Sequence, residues 1–351
     1  ALEFYPDIIH CHDWQTALVL LALNEFYPHI PAKTVFTVHN LKYQGRFTHW
    51  FLHNILGLGD AYFTADRLEF YGQVNLLKGG ILWCDALTTV SPTYAREIRA
   101  PWYGEGLDGL LRAQEYKLRG ILNGLDYQEY DPARDKRLYA CYRDEAEGKA
   151  VNKARLQEDL GLPVQPGIPL LGMVSRLTAQ KGLDLLLHIV DELLRENVQL
   201  AIVGAGERHY EELLSRTAAR YPEKFRLLLG FEEGLARKVY AASDIFLMPS
   251  QFEPCGLGQM IAMRYGAVPV VRATGGLGDT VRPFDDAGEA GNGFAFTDYN
   301  AHDFFFTLQK ALKIYGQPRT WRRLVEAAIQ ADFSWDNSAR EYQELYNGLL
   351  Q

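Results

Sequence analysis

The sequence has few cysteines, no long apolar run and no excess of basic residues. No stretch approaches the ~20 apolar residues of a membrane-spanning helix. Acidic residues outnumber basic ones by 44 to 36, for a formal net charge of −8, so a broad basic face for nucleic acid is not expected. The cysteines are too scattered to indicate a zinc site or a disulfide framework: Cys11, Cys84, Cys141 and Cys255. We expect a protein of a reducing compartment, with no membrane or nucleic-acid partner.

The chain is long enough for two lobes. It has 351 residues, whereas a single core stops growing at roughly 250 to 300. From residue 165 onward, short apolar runs alternate with amphipathic stretches, which is typical of βαβ units and a parallel sheet. A helix with Leu183, Leu186 and Val190 on one face separates the first two runs. The predicted strands of this half are 169–175, 198–203, 225–229, 244–249 and 267–271.

The first part of the chain shows the same alternation over fewer units. Strands are predicted at 33–38, 86–90 and 119–122, and a helix over roughly 14–27. This is short of a complete Rossmann-like sheet, so the fold class is α/β with an incomplete N-terminal lobe. The charged stretch 127–150 is interpreted as a connection between lobes.

The segment from Ser175 to Gly182 is the strongest single motif. It follows a strand and opens an amphipathic helix, and it carries Arg176 and Lys181 with Gln180 between them. Two cations and a helix N-terminus at the carboxyl edge of a parallel sheet suit a diphosphate. A solvated basic turn is the alternative.

The segment from Pro249 to Gln259 is a second strand end that turns into a helix. Glu253 stands at the turn, where a carboxylate can accept sugar hydroxyl groups or stabilise positive charge at an anomeric carbon. The backbone N–H groups that follow it can face ligand oxygens; they belong to Cys255, Gly256 and Leu257. An ordinary N-terminal helix charge is the alternative for Glu253.

Histidines and glycines mark further strand ends. His39 ends a buried strand, and His10, His12 and Asp13 surround another apolar run, but their placement across a strand end argues against a metal site. The run 204–206 resembles a dinucleotide-binding turn, yet His209 stands where a third glycine is needed, which argues against NAD. The glycine-rich run 274–278 is predicted to be a flexible loop.

Together, the motifs resemble the glycogen/starch synthase family of GT-B glycosyltransferases, bacterial type, from one end of the chain to the other. The matching segments, in chain order, are 12–14, 38–40, 68–73, 89–98, 123–124, 175–176, 180–182, 252–257, 274–277 and 333–335, followed by Tyr342 and Tyr346.

The resemblance implies retaining transfer of glucose from ADP-glucose to the non-reducing end of an α-1,4-glucan. It implies no metal and no cofactor, and a location in the bacterial cytoplasm, or in a plastid if the source is a plant. The implied catalytic residues are Glu253, Arg176, Lys181 and His39. The implied substrate-binding residues are Asp13, Asn123, Gln180, Phe231 against the adenine, Cys255, Gly256 and Leu257.

Two departures from the family pattern matter. The family's opening Lys-Thr-Gly-Gly-Leu loop does not precede residue 1, so we expect a fragment of a longer enzyme; Gln251 also replaces a common arginine. The expected division is 1–127 for a partial acceptor-side lobe, 128–332 for the nucleotide-sugar lobe and 333–351 for a C-terminal helix that returns to the first lobe. A relative that uses UDP-glucose and a nucleotide- or glucan-binding fragment without turnover remain alternatives.

Overall fold

The computed structural model describes residues 4–143, 145–285 and 291–351. The chain forms two compact units, one of residues 1–123 with 336–351 and the other of residues 124–335. Each unit contains a parallel β-sheet with helices, which confirms the predicted α/β class.

The first unit is organised around a four-stranded parallel sheet. One of its two inner strands, Lys33–Val38, is almost fully buried: Val35, Phe36 and Val38 are at most 1% exposed. The strands of the unit are β1 (Ile8–His12), β2 (Lys33–Val38), β3 (Arg46–Phe47), β4 (Glu69–Phe70), β5 (Gln73–Asn75), β6 (Ala86–Thr89) and β7 (Leu118–Gly120). The parallel sheet has the order β1-β2-β6-β7, and a small antiparallel sheet has the order β3-β5-β4.

Five helices belong to this part of the chain. They are α1 (Asp13–Glu25), α2 (His49–Asn54), α3 (Leu76–Trp83), α4 (Pro92–Glu97) and α5 (Asp108–Ala113). Helix α3 packs closely because Gly80 lies under Phe36: a Cβ at Gly80 would come within 2.4 Å of the phenyl ring. The strand and helix predictions for this part are confirmed to within two residues at each end.

The second unit is built on a six-stranded parallel sheet with the order β10-β9-β8-β11-β12-β13. The strands are β8 (Leu170–Val174), β9 (Gln199–Gly204), β10 (Phe225–Leu229), β11 (Ile245–Met248), β12 (Val268–Arg272) and β13 (Phe294–Phe296). The five predicted strands are confirmed. Strand β13 was not predicted, because three residues are too few to show a periodic pattern.

The strand order reverses between β8 and β11. From β8 the chain winds outward through β9 to β10, and then returns to add β11, β12 and β13 on the other side of β8. Loops that leave β8 and β11 therefore diverge and open a crevice at the carboxyl ends of these strands, where open α/β sheets bind ligands.

The helices of the second unit cover both faces of the sheet. They are α6 (Glu145–Asp159), α7 (Leu183–Leu193), α8 (Arg208–Arg220), α9 (Glu233–Ala242), α10 (Gly258–Arg264), α11 (Gly275–Thr280), α12 (Ala301–Tyr315) and α13 (Pro318–Gln330). As the apolar spacing predicts, Leu183, Leu186 and Val190 of α7 are at most 2% exposed.

The stretch 127–150, interpreted as a connection between the lobes, belongs to the second unit. Helix α6 begins within it, at Glu145, and the residues before the helix are anchored to a buried arginine. Arg237 Nη1 donates to the Glu129 carbonyl oxygen at 2.8 Å and lies 3.3 Å from Asp135 Oδ2. Tyr265 donates to the same carboxylate at 2.6 Å. Asp135 is thus part of the buried interior of the second unit, although other charged residues of this stretch, such as Glu129 and Arg137, are exposed.

The last helix, α14 (Trp335–Leu350), returns to the first unit. Tyr346 on this helix lies 2.7 Å from His10 Nδ1, and Glu341 and Glu344 each lie 3.5 Å from Arg119. The helix therefore packs on the outer strands β1 and β7 of the first sheet.

Candidate functional site

A pocket lies at the crevice between β8 and β11 of the second unit. Its lining includes Arg176 and Lys181 from the loop after β8, and Glu253, Gly256 and Leu257 from the loop after β11. The structure thus brings together five of the residues that the sequence singles out, from two segments about seventy positions apart.

Lys181 and Glu253 form a close ion pair in this pocket. Lys181 Nζ lies 2.5 Å from Glu253 Oε2, and the two side chains are only 14% and 9% exposed. Ser250 Oγ donates to the same carboxylate oxygen at 3.1 Å. A carboxylate held by a cation and a hydroxyl group in a nearly dry site has a fixed position.

Backbone geometry places the lysine. Lys181 ends a 3₁₀ turn, Ala179–Lys181, and Gly182 follows with φ of 71°. A Cβ at Gly182 would lie 1.9 Å from the carbonyl oxygen of Pro249 at the end of β11. Only glycine allows this loop to lie so close to the neighbouring strand end, and that approach brings Lys181 to Glu253.

Gln180 joins the two loops. Its backbone carbonyl accepts from Gln251 N at 2.8 Å, and its side-chain Nε2 donates to the Phe252 carbonyl at 3.2 Å. The exposed Arg176 donates from Nη2 to Gln180 Oε1 at 3.4 Å. Gln180 is buried, so its structural role is to hold the loops together, and Arg176 is the more accessible cation.

The prediction of a flexible loop at 274–278 is wrong. This run begins helix α11, and Gly275 and Gly276 are buried. A Cβ at Gly275 would lie 2.0 Å from the Glu253 carbonyl oxygen, and one at Gly276 would lie 2.0 Å from that of Cys255. The two glycines let α11 support the Glu253 loop by direct backbone contact, and Gly276 N donates to the Glu253 carbonyl at 3.2 Å.

The residues after Glu253 approach the start of a helix. Cys255 is buried, whereas Gly256 (φ of 72°) and Leu257 line the pocket. Helix α10 begins at Gly258, and the first N–H groups of a helix have no acceptor within it. The start of α10, where Gly258 also lines the pocket, therefore presents backbone N–H groups, and Lys181 presents a side-chain cation.

Phe231 lies outside the pocket lining. It follows β10, which is the edge strand two places from β8, and its side chain is 74% exposed. The glycines at 204 and 206 have a packing role, since a Cβ on either would lie within 2.3 Å of a carbonyl oxygen of the loop after β8.

His39 and Asp13 lie side by side at the carboxyl edge of the first sheet. Asp13 Oδ1 accepts from the backbone N–H of His39 at 2.8 Å. Asp13 has φ of 55°, a strained value for a non-glycine residue, which the packing around it must maintain. Asn123, the last residue of this unit before α14, is half-buried.

Three histidine rings contact one another in series at this edge, an arrangement that sequence reasoning missed. The His10 and His12 ring centroids are 4.2 Å apart, and His12 Nδ1 lies 3.0 Å from His39 Nε2. Burial, followed by the charges of His12 and His39, lowers the pKa of His10 to about 4. The pKa of His12 is also lowered, chiefly by burial. The signal was present, because residues two apart on a strand face the same side.

Known proteins match the whole chain. The family pattern described as the starch synthase catalytic domain matches residues 1–113, and that described as glycosyl transferases group 1 matches residues 159–330. A glycogen synthase from Desulforamulus reducens is 50% identical over 99% of this chain and 74% of its own length. One from Geobacillus stearothermophilus is 48% identical over 100% of this chain and 73% of its own.

Solved structures agree. The catalytic domain of starch synthase IV from Arabidopsis thaliana, bound to ADP and acarbose, superposes with a TM-score of 0.92 at 40% identity, covering 98% of this chain and 73% of that one. A sucrose-phosphate synthase from Thermosynechococcus elongatus superposes at 0.63 with 20% identity over 98% of this chain and 73% of that one, a likeness of fold alone. The predicted GT-B fold is confirmed. Within the described ranges, every helix is too short or too polar to cross a membrane.

Proposed function

The chain belongs to the glycogen synthase family, and from this premise we propose that it transfers glucose from ADP-glucose to the non-reducing end of an α-1,4-glucan, with retention of the α configuration. The ADP and acarbose in the starch synthase IV structure support both halves of this proposal, because one is the nucleotide part of the donor and the other resembles a glucan. The observation that carries it in this chain is the pocket that holds Arg176, Lys181 and Glu253 together.

The donor diphosphate is assigned to Arg176 and Lys181. When the bond between C1 of glucose and the diphosphate breaks, negative charge grows on the departing phosphate. A nearby cation in a partly dry site stabilises that charge far more than it would in water. The Lys181 ammonium has three N–H donors, so it can retain its contact with Glu253 at 2.5 Å and still donate to a phosphate oxygen. No metal or cofactor is required for this part of the reaction.

Glu253 is assigned to the glucosyl ring. As the leaving group departs, positive charge develops at the anomeric carbon, and a fixed carboxylate nearby stabilises it. Only 9% of the Glu253 side chain is exposed, so little solvent screens its charge. The backbone N–H groups of Cys255, Gly256 and Leu257 are assigned to oxygens of the ADP-glucose. Gln180 is assigned to the support of Arg176, and Phe231 to the adenine ring.

The first unit is assigned to the sugar and the acceptor. His39 follows β2 and Asp13 follows β1, so both present polar atoms at the carboxyl edge of the first sheet, and Asn123 of the same unit is half-buried. We place the enzyme in the bacterial cytoplasm, since its relatives are bacterial and its four cysteines are free thiols, with ADP-glucose and an α-glucan as its partners.

The test is incorporation of radiolabelled glucose into glycogen by the purified protein. ADP-glucose is the donor, and UDP-glucose is the competitor. Label in the glucan that is released by an α-1,4-specific glucanase supports the proposal, and a faster reaction with UDP-glucose contradicts the donor assignment. Calorimetric binding of ADP without any transfer favours a nucleotide- and glucan-binding protein that does not turn over.

A further inference from the structure

Two histidines and an aspartate of the first unit converge on one point. His49 Nε2 and His53 Nε2 each lie 2.9 Å from the same oxygen of Asp60, Oδ1. One ligand atom from each side chain lies within 4.8 Å of the other two. Among the described residues, no other group of three histidine, cysteine or carboxylate side chains comes as close together. None of the three belongs to the proposed donor or acceptor machinery.

The local fold fixes the positions of these side chains. His49 and His53 are four residues apart on α2, so both rings lie on one face of the helix. The His49 ring packs edge-on against Phe63 with centroids 4.4 Å apart, and the His53 ring packs edge-on against His49 at 4.9 Å. Asp60 begins the 3₁₀ turn Asp60–Tyr62 that faces this helix. In this arrangement both imidazoles direct Nε2 to the carboxylate.

This donor set fits a particular class of cation. Two imidazole nitrogens and one carboxylate oxygen suit zinc and similar divalent transition metals, whereas magnesium and calcium prefer oxygen ligands alone. Paired histidines four apart on a helix are a known way to present two zinc ligands. In a tetrahedral site with zinc bonds of ~2.0–2.1 Å, neighbouring ligands lie about 3.3 Å apart. The 2.9 Å contacts must therefore widen by a few tenths of an ångström.

The surroundings allow that change. The side chains of His49, His53 and Asp60 are 44%, 40% and 78% exposed, so small rotations meet little resistance. The hydrogen on each Nε2 that now contacts Asp60 moves to Nδ1 when the other neutral tautomer forms, which leaves the Nε2 lone pair available to a metal.

We propose that His49, His53 and Asp60 bind a zinc-class divalent cation, with water in the remaining coordination position. Such an ion joins α2 to the 3₁₀ turn across the loop between them. Its effect is to stabilise this segment of the first unit, because a ligand that binds only the folded state shifts the unfolding equilibrium toward that state.

The experiment is a titration of the metal-free protein with Co²⁺, followed by its visible absorption, and then displacement by Zn²⁺. It is done in a Cys141→Ser background, because Cys141 is an exposed free thiol and thiolates are ligands for these metals. We expect one equivalent of cobalt with a spectrum of nitrogen and oxygen ligands. His53→Gln and Asp60→Asn should each weaken binding by at least about tenfold. Zinc should raise the Tm of the background protein and leave that of either variant unchanged.

A second histidine pair provides the matched control. His188 and His302 have ring centroids 5.6 Å apart in the second unit, and among the described residues no carboxylate completes a metal-binding group there. His302→Gln should therefore bind cobalt like the background protein. Loss of cobalt binding on Cys141→Ser alone, or undiminished binding by both His53→Gln and Asp60→Asn, overturns the proposal. Circular dichroism verifies that each variant is folded, which is expected because the replaced side chains are exposed.

Discussion

Replacement of Lys181 by methionine tests the donor pocket most directly. Methionine matches the apolar stem of the side chain and lacks the terminal ammonium group and its charge. In the structure that charge lies 2.5 Å from Glu253 Oε2, with the two side chains 14% and 9% exposed. The variant therefore removes one partner of a nearly buried ion pair and the cation assigned to the leaving diphosphate.

The structure gives the size of both effects. Removal of one partner of a buried pair costs about 3–5 kcal/mol, and the remaining 3.1 Å hydrogen bond from Ser250 to Glu253 favours the low end. At ~2–4 °C per kcal/mol for a domain of this size, the Tm should fall by roughly 6–12 °C. Loss of one preorganised donor to a transition-state anion lowers kcat by about 10²–10³. The fall in kcat/KM should lie in the same range.

A lysine elsewhere in the second unit separates stability from catalysis. Lys153 Nζ lies 2.7 Å from Asp244 Oδ2, with side chains 6% and 14% exposed, and it does not line the pocket. Lys153→Met should lower the Tm by a similar amount and leave the transfer rate per folded molecule unchanged. Transfer of labelled glucose to glycogen is measured well below both Tm values. A kcat/KM for Lys181→Met within about threefold of wild type, or an equal loss in Lys153→Met, would refute the assignment.

Three further predictions concern the supports of the two units. Gly275→Ala should unfold at a lower temperature and transfer glucose more slowly, because at φ of 46° its Cβ would lie 2.0 Å from the Glu253 carbonyl oxygen. Gly278→Ala, whose Cβ would have its nearest contact at 3.6 Å, should match wild type in thermal melts and transfer assays. The Tm of the wild type should fall as pH decreases from 6.5 to about 4, because the unfolded state binds a proton that folded His10, with its pKa lowered to about 4, excludes. His10→Gln should flatten that profile between the two pH values, and an unchanged slope would contradict the assignment. Arg237→Met, which removes the buried cation beside the buried Asp135 carboxylate, should lose about 3–5 kcal/mol in denaturant unfolding, and a loss below about 1 kcal/mol would be inconsistent with the observed network.

The candidate site was predicted from the sequence in its parts. Arg176, Lys181 and Glu253 each follow an apolar run, and the carboxyl ends of parallel strands share one edge of a sheet. That rule places all three at the same edge without a structure. It does not say which strands are neighbours, and it gave no sign that Lys181 and Glu253 form an ion pair.

The glycine-rich run at 274–278 shows why a prediction from neighbouring residues alone was wrong. Glycine signals freedom of the backbone, so the sequence predicts a flexible loop. In the folded chain the same property lets Gly275 and Gly276 contact the backbone of the Glu253 loop, and the run is a buried helix start. The interpretation of the charged stretch at 127–150 missed its packing for a related reason. Asp135 is only 6% exposed, because Arg237, from a distant part of the chain, lies beside its carboxylate.

The sequence by itself determined the main strands of both sheets and the chemical types available at the site, since apolar periodicity and strand-end residues are properties of neighbours along the chain. Only the tertiary structure decided that β8 lies beside β11, that His39 contacts the His10 and His12 pair at the end of the first sheet, and that His49, His53 and Asp60 meet. These arrangements depend on contacts between segments far apart in sequence or on side-chain orientation, and neither leaves a periodic signal in the order of residues.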